Sequence, residues 1–224
     1  MTDPSNIFIA GASRGLGLEI AKCLRGKQIP VKALLRSADA APGLEAMGIK
    51  VVMGDALDRA RMEQVMQEEP LQAVISTIGG LPKEGQRADY LGNKNLIDAA
   101  SQVGVKKFIL ISSIGSGNSK NALSETALET LGAVLAEKEK AESHLINSGL
   151  IYTIIRPGGL KSEPPTGNGV LTENTTVSGI IHRADVAQLV CACLGSDAAN
   201  CKVLSAIDRE MAFGEAQFEE FKLS

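Results

Sequence analysis

A glycine-rich turn between a short apolar run and a helix-forming segment constrains this sequence more than any other feature. Ile7–Ala10 is apolar throughout and too short for a helix, and Gly11, Gly15 and Gly17 follow it where the helical pattern of Leu16–Leu24 begins. This order is typical of a loop that cradles phosphate, because glycine lets the backbone approach the anion and the helix start provides free N–H groups. We therefore predict that a dinucleotide binds here. The residues predicted to contact it are Gly11, Ser13, Arg14, Gly15, Leu16 and Gly17.

Short apolar runs alternate with helix-forming segments along the rest of the chain. Further strands are predicted at Val31–Leu35, Val51–Met53, Ala73–Ser76, Phe108–Ile111, Tyr152–Ile155 and Val203–Ser205. Helices are predicted at Leu16–Leu24, Arg59–Gln67, Ala88–Gln102, Leu123–Asn147 and Ala184–Leu194. Apolar strands separated by helices are typical of a parallel sheet covered on both faces. The sequence therefore predicts a single doubly wound α/β domain of Rossmann type, with a mostly parallel sheet, a core over about residues 5–207 and a tail over 208–224.

The composition excludes several classes of function. The 224 residues are 44% hydrophobic with a net charge of −3, and they contain neither a block of basic residues nor an apolar run long enough for a membrane span. We therefore expect no nucleic-acid partner and, since no signal peptide is visible, a cytoplasmic protein. Cys191 and Cys193 are two positions apart in a predicted helix and face different directions, so no metal site is expected. All four cysteines are interpreted as buried small side chains in a reducing compartment.

The end of the second predicted strand indicates which dinucleotide is bound. An acidic residue at this position would bind the adenosine ribose hydroxyls, but here the position is Arg36. A guanidinium binds phosphate through charge-assisted hydrogen bonds, and Arg14 and Ser37 offer further contacts. Asp39 lies beyond the strand end. We therefore predict NADP(H) rather than NAD(H) as the cofactor, the alternative being that Arg36 is only a solvated charge.

Four more strand ends carry polar residues or glycine where a dinucleotide would pass. The third ends on a carboxylate suited to the adenine amino group, the fourth on glycines along which the cofactor would run, and the fifth on two hydroxyls near the nicotinamide. The sixth ends on Pro-Gly-Gly. The cofactor contacts predicted at these ends are Asp55, Ala56, Thr77, Ile78, Gly79, Ser112, Ser113, Pro157, Gly158 and Gly159.

An ordered set of motifs from Ile7 to about Leu204 resembles the short-chain dehydrogenase/reductase superfamily, in its atypical NAD(P)H-binding branch. These motifs are GASRGLG from Gly11, LLRS from Leu34, VVMGDALD from Val51, GVKKFILISS from Gly104, SGLIYTIIRPGGL from Ser148 and HRADVA from His182. Within the branch the chain is most similar to the biliverdin reductase B and flavin reductase group, and NmrA-like proteins share many of the motifs. The glycine spacing departs from the branch, since it is that of ordinary short-chain reductases.

The catalytic tyrosine of the superfamily is missing. The resemblance places its lysine at Lys138, but Val134 occupies the position four residues earlier, where the tyrosine would be. Tyr90 does precede Lys94 by four residues, yet this pair comes before Ser113 in the chain and is interpreted as coincidence or packing. The predicted catalytic residues are therefore Ser113, which orients rather than protonates, and Lys138. For Lys138, a bond to a ribose hydroxyl and a solvated helix position are equally favoured.

The lost tyrosine restricts the acceptor. A ketone reduced to an alkoxide needs a positioned acid, whereas a planar conjugated acceptor spreads the incoming negative charge and can take its proton from water. The resemblance therefore implies hydride transfer from NADPH to a flavin, biliverdin or quinone. One alternative is a non-catalytic NADP(H) sensor. A weaker one is a carbonyl reductase or epimerase with Tyr90 or Tyr152 as displaced acid.

Three further predictions concern the second half of the chain. The proline- and glycine-rich segment Lys161–Val177 either covers a substrate or is an inert loop. Asp185 is interpreted as part of a helix N-cap and Arg183 as part of a structural turn, while neither His144 nor His182 is expected to be catalytic. The tail, with Phe213, Phe218 and Phe221, is predicted to form a short amphipathic helix that packs on its own domain or, as the rival interpretation, on a second subunit. The oligomeric state is left open.

Overall fold

The computed structural model describes residues 6–79, 87–214 and 218–223. Within these ranges the strands are β1 (Asn6–Ala10), β2 (Val31–Leu35), β3 (Lys50–Met53), β4 (Leu71–Ser76), β5 (Lys107–Ile111), β6 (Ile151–Pro157), β7 (Gly159–Lys161), β8 (Gly169–Thr172), β9 (Ile180–His182) and β10 (Lys202–Asp208). The α-helices are α1 (Gly15–Gly26), α2 (Ala41–Ala46), α3 (Arg59–Gln67), α4 (Leu91–Gln102), α5 (Glu125–Ile146) and α6 (Arg183–Leu194). Short 3-10 helices cover Ala38–Ala40, Gly117–Ala122, Asp197–Ala199 and Arg209–Met211.

The main sheet has eight strands in the order β3-β2-β1-β4-β5-β6-β10-β8. All neighbours are parallel except β10 and β8, which run antiparallel. The chain order reverses between β1 and β4, so the carboxyl ends of these two strands open a crevice at the centre of the sheet, which is where doubly wound folds bind their ligands. The predicted Rossmann-like α/β fold is confirmed.

The two faces of the sheet are covered by different helices because successive strand residues point to opposite sides. In β1, Ile7 and Ile9 join a core with α1 and α6. Phe8 and Ala10 join a second core with α3, α4 and α5. This division places the start of α1 at the crevice between β1 and β4.

The segment after β6 differs most from the prediction. Part of the predicted loop Lys161–Val177 forms β8, which pairs with β10 and makes the edge of the main sheet antiparallel. The strands β7 and β9, also missed, pair with each other in a separate two-stranded sheet. Both strands have only three residues, so their sequence shows no alternation long enough to be recognised. Helix α2 was missed for a similar reason, since it has only six residues.

The tail does not form the predicted amphipathic helix within the described residues. Beyond the 3-10 turn Arg209–Met211, residues 212–214 and 218–223 are irregular, and residues 215–217 lie outside the description. The tail nevertheless packs on its own domain, as predicted. The Phe221 N–H donates to the Leu171 carbonyl at 2.7 Å, and the side chains of Phe221 and Leu223 pack against the core beside α1 and α6. Among the described residues, no helix is both long and apolar enough to cross a lipid bilayer.

Candidate functional site

The glycine turn is fixed to the neighbouring strand end by Thr77. The Thr77 N–H donates to the Ala10 carbonyl at 2.9 Å, and its hydroxyl lies 3.1 Å from that oxygen and 3.2 Å from the Gly11 carbonyl oxygen. The turn after β1 and the end of β4 are therefore one unit at the central crevice.

Two glycines in the turn cannot be replaced without a clash. A Cβ at Gly11, where φ is +96°, would lie 2.5 Å from the Thr77 hydroxyl oxygen. A Cβ at Gly17 would overlap the Gly11 carbonyl oxygen and lie 2.7 Å from the same hydroxyl. Ser13, Arg14 and Gly15 are exposed, whereas Leu16 turns into the core. The turn is thus a tight backbone cradle whose exposed rim is Ser13–Gly15.

Both predicted phosphate-binding arginines are exposed at this edge of the sheet. Among the described residues, neither Arg14 nor Arg36 has a hydrogen bond or an ion pair with another side chain. The Ser37 hydroxyl instead donates to a carboxylate oxygen of Asp39 at 2.6 Å and caps the 3-10 helix that follows. The two guanidinium groups remain available to a ligand, while Ser37 has a local structural role.

The loop after β3 holds its acidic residue in a defined turn. Asp55 accepts a hydrogen bond from the Leu57 N–H at 2.9 Å through one carboxylate oxygen. Asn95 in α4 donates to the Ala56 carbonyl at 2.9 Å, and Ala56 itself is buried. Asp55 is therefore held at the carboxyl edge of the sheet, with one carboxylate oxygen bonded to the Leu57 N–H.

The loop after β4 passes a buried charge pair. A Cβ at Gly79, where φ is +152°, would lie 2.5 Å from Oδ1 of Asp89 and 3.2 Å from Nζ of Lys138. Ile78 packs against the core beside α4. Gly80, the last residue of this predicted glycine-rich strand end, lies outside the described residues. The backbone at Gly79 is thus directly beside the Lys138 ammonium.

Lys138 is not on a solvated helix face, so that alternative is wrong. Only 17% of its side chain is exposed, and Nζ lies 3.8 Å from Oδ1 of the fully buried Asp89. Burial lowers the pKa of the Lys138 ammonium from its ordinary value, and the Asp89 carboxylate opposes that shift. The lysine therefore points inward, toward the crevice beside Gly79.

The ends of β5 and β6 contribute the remaining predicted residues. The Ser112 hydroxyl is buried and has no hydrogen-bond partner among the described residues. The Ser113 hydroxyl donates to the carbonyl oxygen of Ile114 at 3.0 Å. Pro157 is buried, and Gly158 packs so closely on the Gly179 carbonyl that a Cβ would overlap it. The exposed Gly159 pairs with β9 through its N–H, 2.9 Å from the same carbonyl oxygen.

Within the described residues, neither of the two tyrosines contacts the predicted site residues through its ring. Tyr90 lies beside the face of α5 that carries Lys140, whose Nζ is 5.9 Å from the ring, and it lines a surface cleft with Lys140 and His144. Tyr152 is the second residue of β6, five residues before Pro157, which places it about 16 Å from the carboxyl end of that strand. The structure therefore gives no support to a displaced tyrosine acid.

The segment after β7 is fixed by buried groups of β9 and α6. Nδ1 of His182 is 2.7 Å from the Pro164 carbonyl oxygen. The Asp185 carboxylate accepts hydrogen bonds from the Thr166 and Gly167 N–H groups, both at 2.9 Å. Asp185 is thus not an N-cap, contrary to the prediction, because it lies inside the first turn of α6 and binds another segment.

The cysteines follow the prediction only in part. Cys191 and Cys193 are buried, but Cys23 is partly exposed and Cys201 is exposed. A hydrogen bond from Cys191 lowers the pKa of the Cys23 thiol to about 7. Within the described ranges, no cluster of three or more His, Cys, Asp or Glu residues could hold a metal ion.

The chain is similar to known proteins over most of its length. The profile of a family described as NAD(P)H-binding matches residues 11–197, from the first glycine of the turn to the residue that begins the 3-10 helix after α6. An uncharacterised chloroplast protein of Arabidopsis thaliana is 33% identical over 222 residues, which covers 92% of this chain and 78% of the relative. Other curated relatives are longer, and the matched region covers only 43–46% of their length.

Several similar proteins are named as reductases. Sanguinarine reductase of Eschscholzia californica is 30% identical over 200 residues, covering 81% of this chain and 72% of that protein. The structure of ChuY, described as an anaerobilin reductase of Escherichia coli O157:H7, has a TM-score of 0.84 and 34% identity and covers 92% of this chain and 98% of ChuY. The similarity therefore extends over the glycine turn, the sheet and both layers of helices.

Proposed function

This chain belongs to the NAD(P)H-binding family and is similar to proteins named as reductases, and we propose that it is an NADPH-dependent reductase of a planar conjugated acceptor. Bound NADPH would supply a hydride, and the protein would supply binding and orientation. The flavin and linear tetrapyrrole classes are the acceptors that the proposal favours.

The residues at the carboxyl edge fit a dinucleotide. The glycine turn has no space for a side chain at Gly11 or Gly17, and this close packing of the backbone is what a phosphate-binding turn requires. The buried Ser112 hydroxyl lacks a partner among the described residues and offers a hydrogen bond at the nicotinamide end. Under the proposal, Arg36 and Arg14 bind the phosphate on the adenosine ribose, and Asp55 binds the adenine with its second oxygen.

The placement of the tyrosines is the observation that carries the choice of acceptor. Tyr152 lies near the start of its strand, and the Tyr90 ring packs beside Lys140 in a surface cleft, so neither tyrosine takes the place of the missing acid at the Val134 position. General acid catalysis contributes about 10²–10⁴-fold to such a reduction, which a simple ketone would lose. A conjugated acceptor delocalises the charge and loses much less. The absence of a tyrosine acid therefore favours the conjugated class.

Ser113 and Lys138 have separate roles in this proposal. Ser113 orients the acceptor or the nicotinamide through its hydroxyl, which at present donates only to the neighbouring Ile114 carbonyl. Lys138 is buried beside Asp89 and Gly79, where its ammonium can donate to a ribose hydroxyl of a cofactor that follows the β4 loop. The names of the relatives, anaerobilin reductase and sanguinarine reductase, support a planar substrate.

A turnover assay with several acceptors tests the proposal. The protein is mixed with NADPH and, separately, FMN, biliverdin, a quinone and an isolated ketone, and oxidation is followed at the nicotinamide absorbance band. We expect turnover above the protein-free rate with at least one conjugated acceptor and none with the ketone. Turnover of the ketone alone would contradict the proposal.

The sensor alternative has its own signature in the same assay. Tight NADPH binding by calorimetry, together with no turnover of any acceptor, would favour a non-catalytic NADP(H)-binding protein. The Ser113→Ala variant separates the two alternatives further, because in a reductase it should lower the turnover of the acceptor more than it weakens NADPH binding.

A further inference from the structure

Arg183, the first residue of α6, joins two parts of the molecule that are far apart in sequence. Its Nη1 atom donates to the Leu160 carbonyl oxygen at 3.1 Å and to the Ser162 hydroxyl oxygen at 2.8 Å. One side of the guanidinium therefore holds the backbone where β7 leads into the exposed segment that follows.

The same guanidinium lies beside the start of α1. A Cβ at Gly15 would be 3.6 Å from Nε of Arg183 and 4.0 Å from its Cδ. Gly15 has a φ of +57° and is exposed on the rim of the glycine turn. Arg183 therefore places a positive charge at the helix end whose free N–H groups already favour an anion.

The other edge of this guanidinium is not used within the protein. Among residues 6–79, 87–214 and 218–223, neither Nε nor Nη2 of Arg183 has a hydrogen-bond partner, and no carboxylate lies within ion-pair distance. The Nε–Nη2 edge is a planar pair of donors whose spacing suits two oxygens of one phosphate. A half-buried, immobilised guanidinium with this edge free is preorganised for an anion.

We propose that Arg183 binds the cofactor pyrophosphate with its Nε–Nη2 edge while Nη1 holds the Leu160 carbonyl and the Ser162 hydroxyl. His182 and Asp185 already fix the middle of the segment from residue 161 to residue 168, and an anion that immobilises the Arg183 guanidinium restrains its first residues as well. The proposal deepens the proposed function, but pyrophosphate binding does not require an acceptor. The coupling is reciprocal, so a more restrained segment also strengthens cofactor binding.

Calorimetry with three ligands tests the phosphate contact. In Arg183→Gln we expect NADPH and ADP-ribose, which both contain the pyrophosphate, to bind about 10- to 100-fold more weakly. Binding of 2′-AMP, which lacks the pyrophosphate, should be unchanged. Arg209→Gln is the control for the loss of a positive charge, because Arg209 is paired with Glu220 and is remote from the turn. Equal NADPH affinity in folded Arg183→Gln and wild type would overturn the proposal.

Hydrogen exchange tests the coupling. NADPH should slow amide exchange in residues 159–168 of the wild type, and this protection should be lost in Arg183→Gln. Ser162→Ala removes one bond to the segment without removing the charge, so it should reduce the protection while it changes NADPH affinity by less than the arginine variant does. Undiminished protection in Arg183→Gln would refute the coupling.

A conservative variant, Arg183→Lys, keeps the proposal testable if Arg183→Gln does not fold. Arg183→Lys keeps the charge but lacks the paired donors, and it should lose NADPH affinity and segment protection to a smaller extent. None of these readouts requires turnover. A chain that reduces no acceptor but shows these binding effects would therefore refute the proposed function and support the role of Arg183.

Discussion

Nζ of Lys138 in α5 lies 3.8 Å from Oδ1 of Asp89, which is two residues before the start of α4. The Asp89 side chain is fully buried and that of Lys138 largely so, and Arg87 also lies 3.3 Å from the same carboxylate. The two residues are 49 positions apart in the chain, and they meet where the β4 loop passes Gly79. The lysine that resembles the superfamily's catalytic lysine is therefore held by a carboxylate from another element.

We predict that Lys138 titrates below the surface lysines and that Asp89→Asn lowers its pKa further. Burial already lowers the Lys138 pKa, and Asp89 is the first of the groups that oppose the shift. NMR of ¹³C-methylated lysines measures both values, with Lys140 as the exposed reference, whose pKa Glu137 raises. A Lys138 signal that titrates together with Lys140 would refute the prediction.

The same shift predicts how stability depends on pH. Because the folded state binds the Lys138 proton more weakly than the unfolded state, the free energy of unfolding should rise with pH between the folded pKa and the unfolded value near 10.5. Urea unfolding at several pH values measures this slope. Lys138→Met should reduce the slope of the free energy of unfolding against pH. An unchanged slope in this variant would show that another group causes the pH dependence.

We predict that Gly17→Ala destabilises the protein and weakens NADPH binding by at least 10-fold. The new Cβ would overlap the Gly11 carbonyl oxygen, and such overpacking typically costs about 1–3 kcal/mol. Gly26→Ala at the other end of α1 is the matched control, since nothing lies within 4 Å of its Cβ. Urea unfolding and calorimetry should show near wild-type stability and NADPH affinity for the control. Equal effects in both variants would disprove the prediction that close packing at Gly17 is needed for NADPH binding.

We predict that Arg36→Ala lowers the preference for NADPH over NADH by about 10- to 100-fold, the contribution expected of charge-assisted hydrogen bonds to one phosphate. Arg36 is exposed at the end of β2, without a side-chain partner among the described residues. Calorimetry with both cofactors measures the ratio. Lys22→Ala is the control: it removes an exposed positive charge of α1, which is paired with Glu19, and should leave the ratio of NADPH to NADH affinity unchanged. An unchanged ratio in Arg36→Ala would exclude the phosphate contact.

We predict that Cys23 reacts with iodoacetamide as a group of pKa about 7, because a hydrogen bond from Cys191 stabilises its thiolate. The rate of alkylation is measured against pH in a Cys201→Ser background, which removes the exposed thiol. Cys191→Ala should move the midpoint toward the ordinary value of a free thiol. A midpoint that does not move would show that another group lowers the pKa.

The central part of the fold could be predicted from the sequence because each element carries its own periodicity. The predicted strand Val31–Leu35 and the predicted helix Arg59–Gln67 have the observed bounds. The region between β6 and α6 could not be predicted, because β7, β8 and β9 have three or four residues each and their pairing depends on strands elsewhere. Proline and glycine in that region also indicated a loop.

The sequence by itself determined the seven longer parallel strands, the five longer helices, the glycine turn and the residues at the strand ends, because these depend on patterns within about twenty neighbouring positions. Only the tertiary structure decided that Lys138 faces Asp89, that Asp185 holds Thr166 and that Arg183 lies beside Gly15. These contacts join residues that are distant in the chain. Local periodicity cannot specify them, since they arise when the two helix layers pack on the sheet and bring separate loops to one edge.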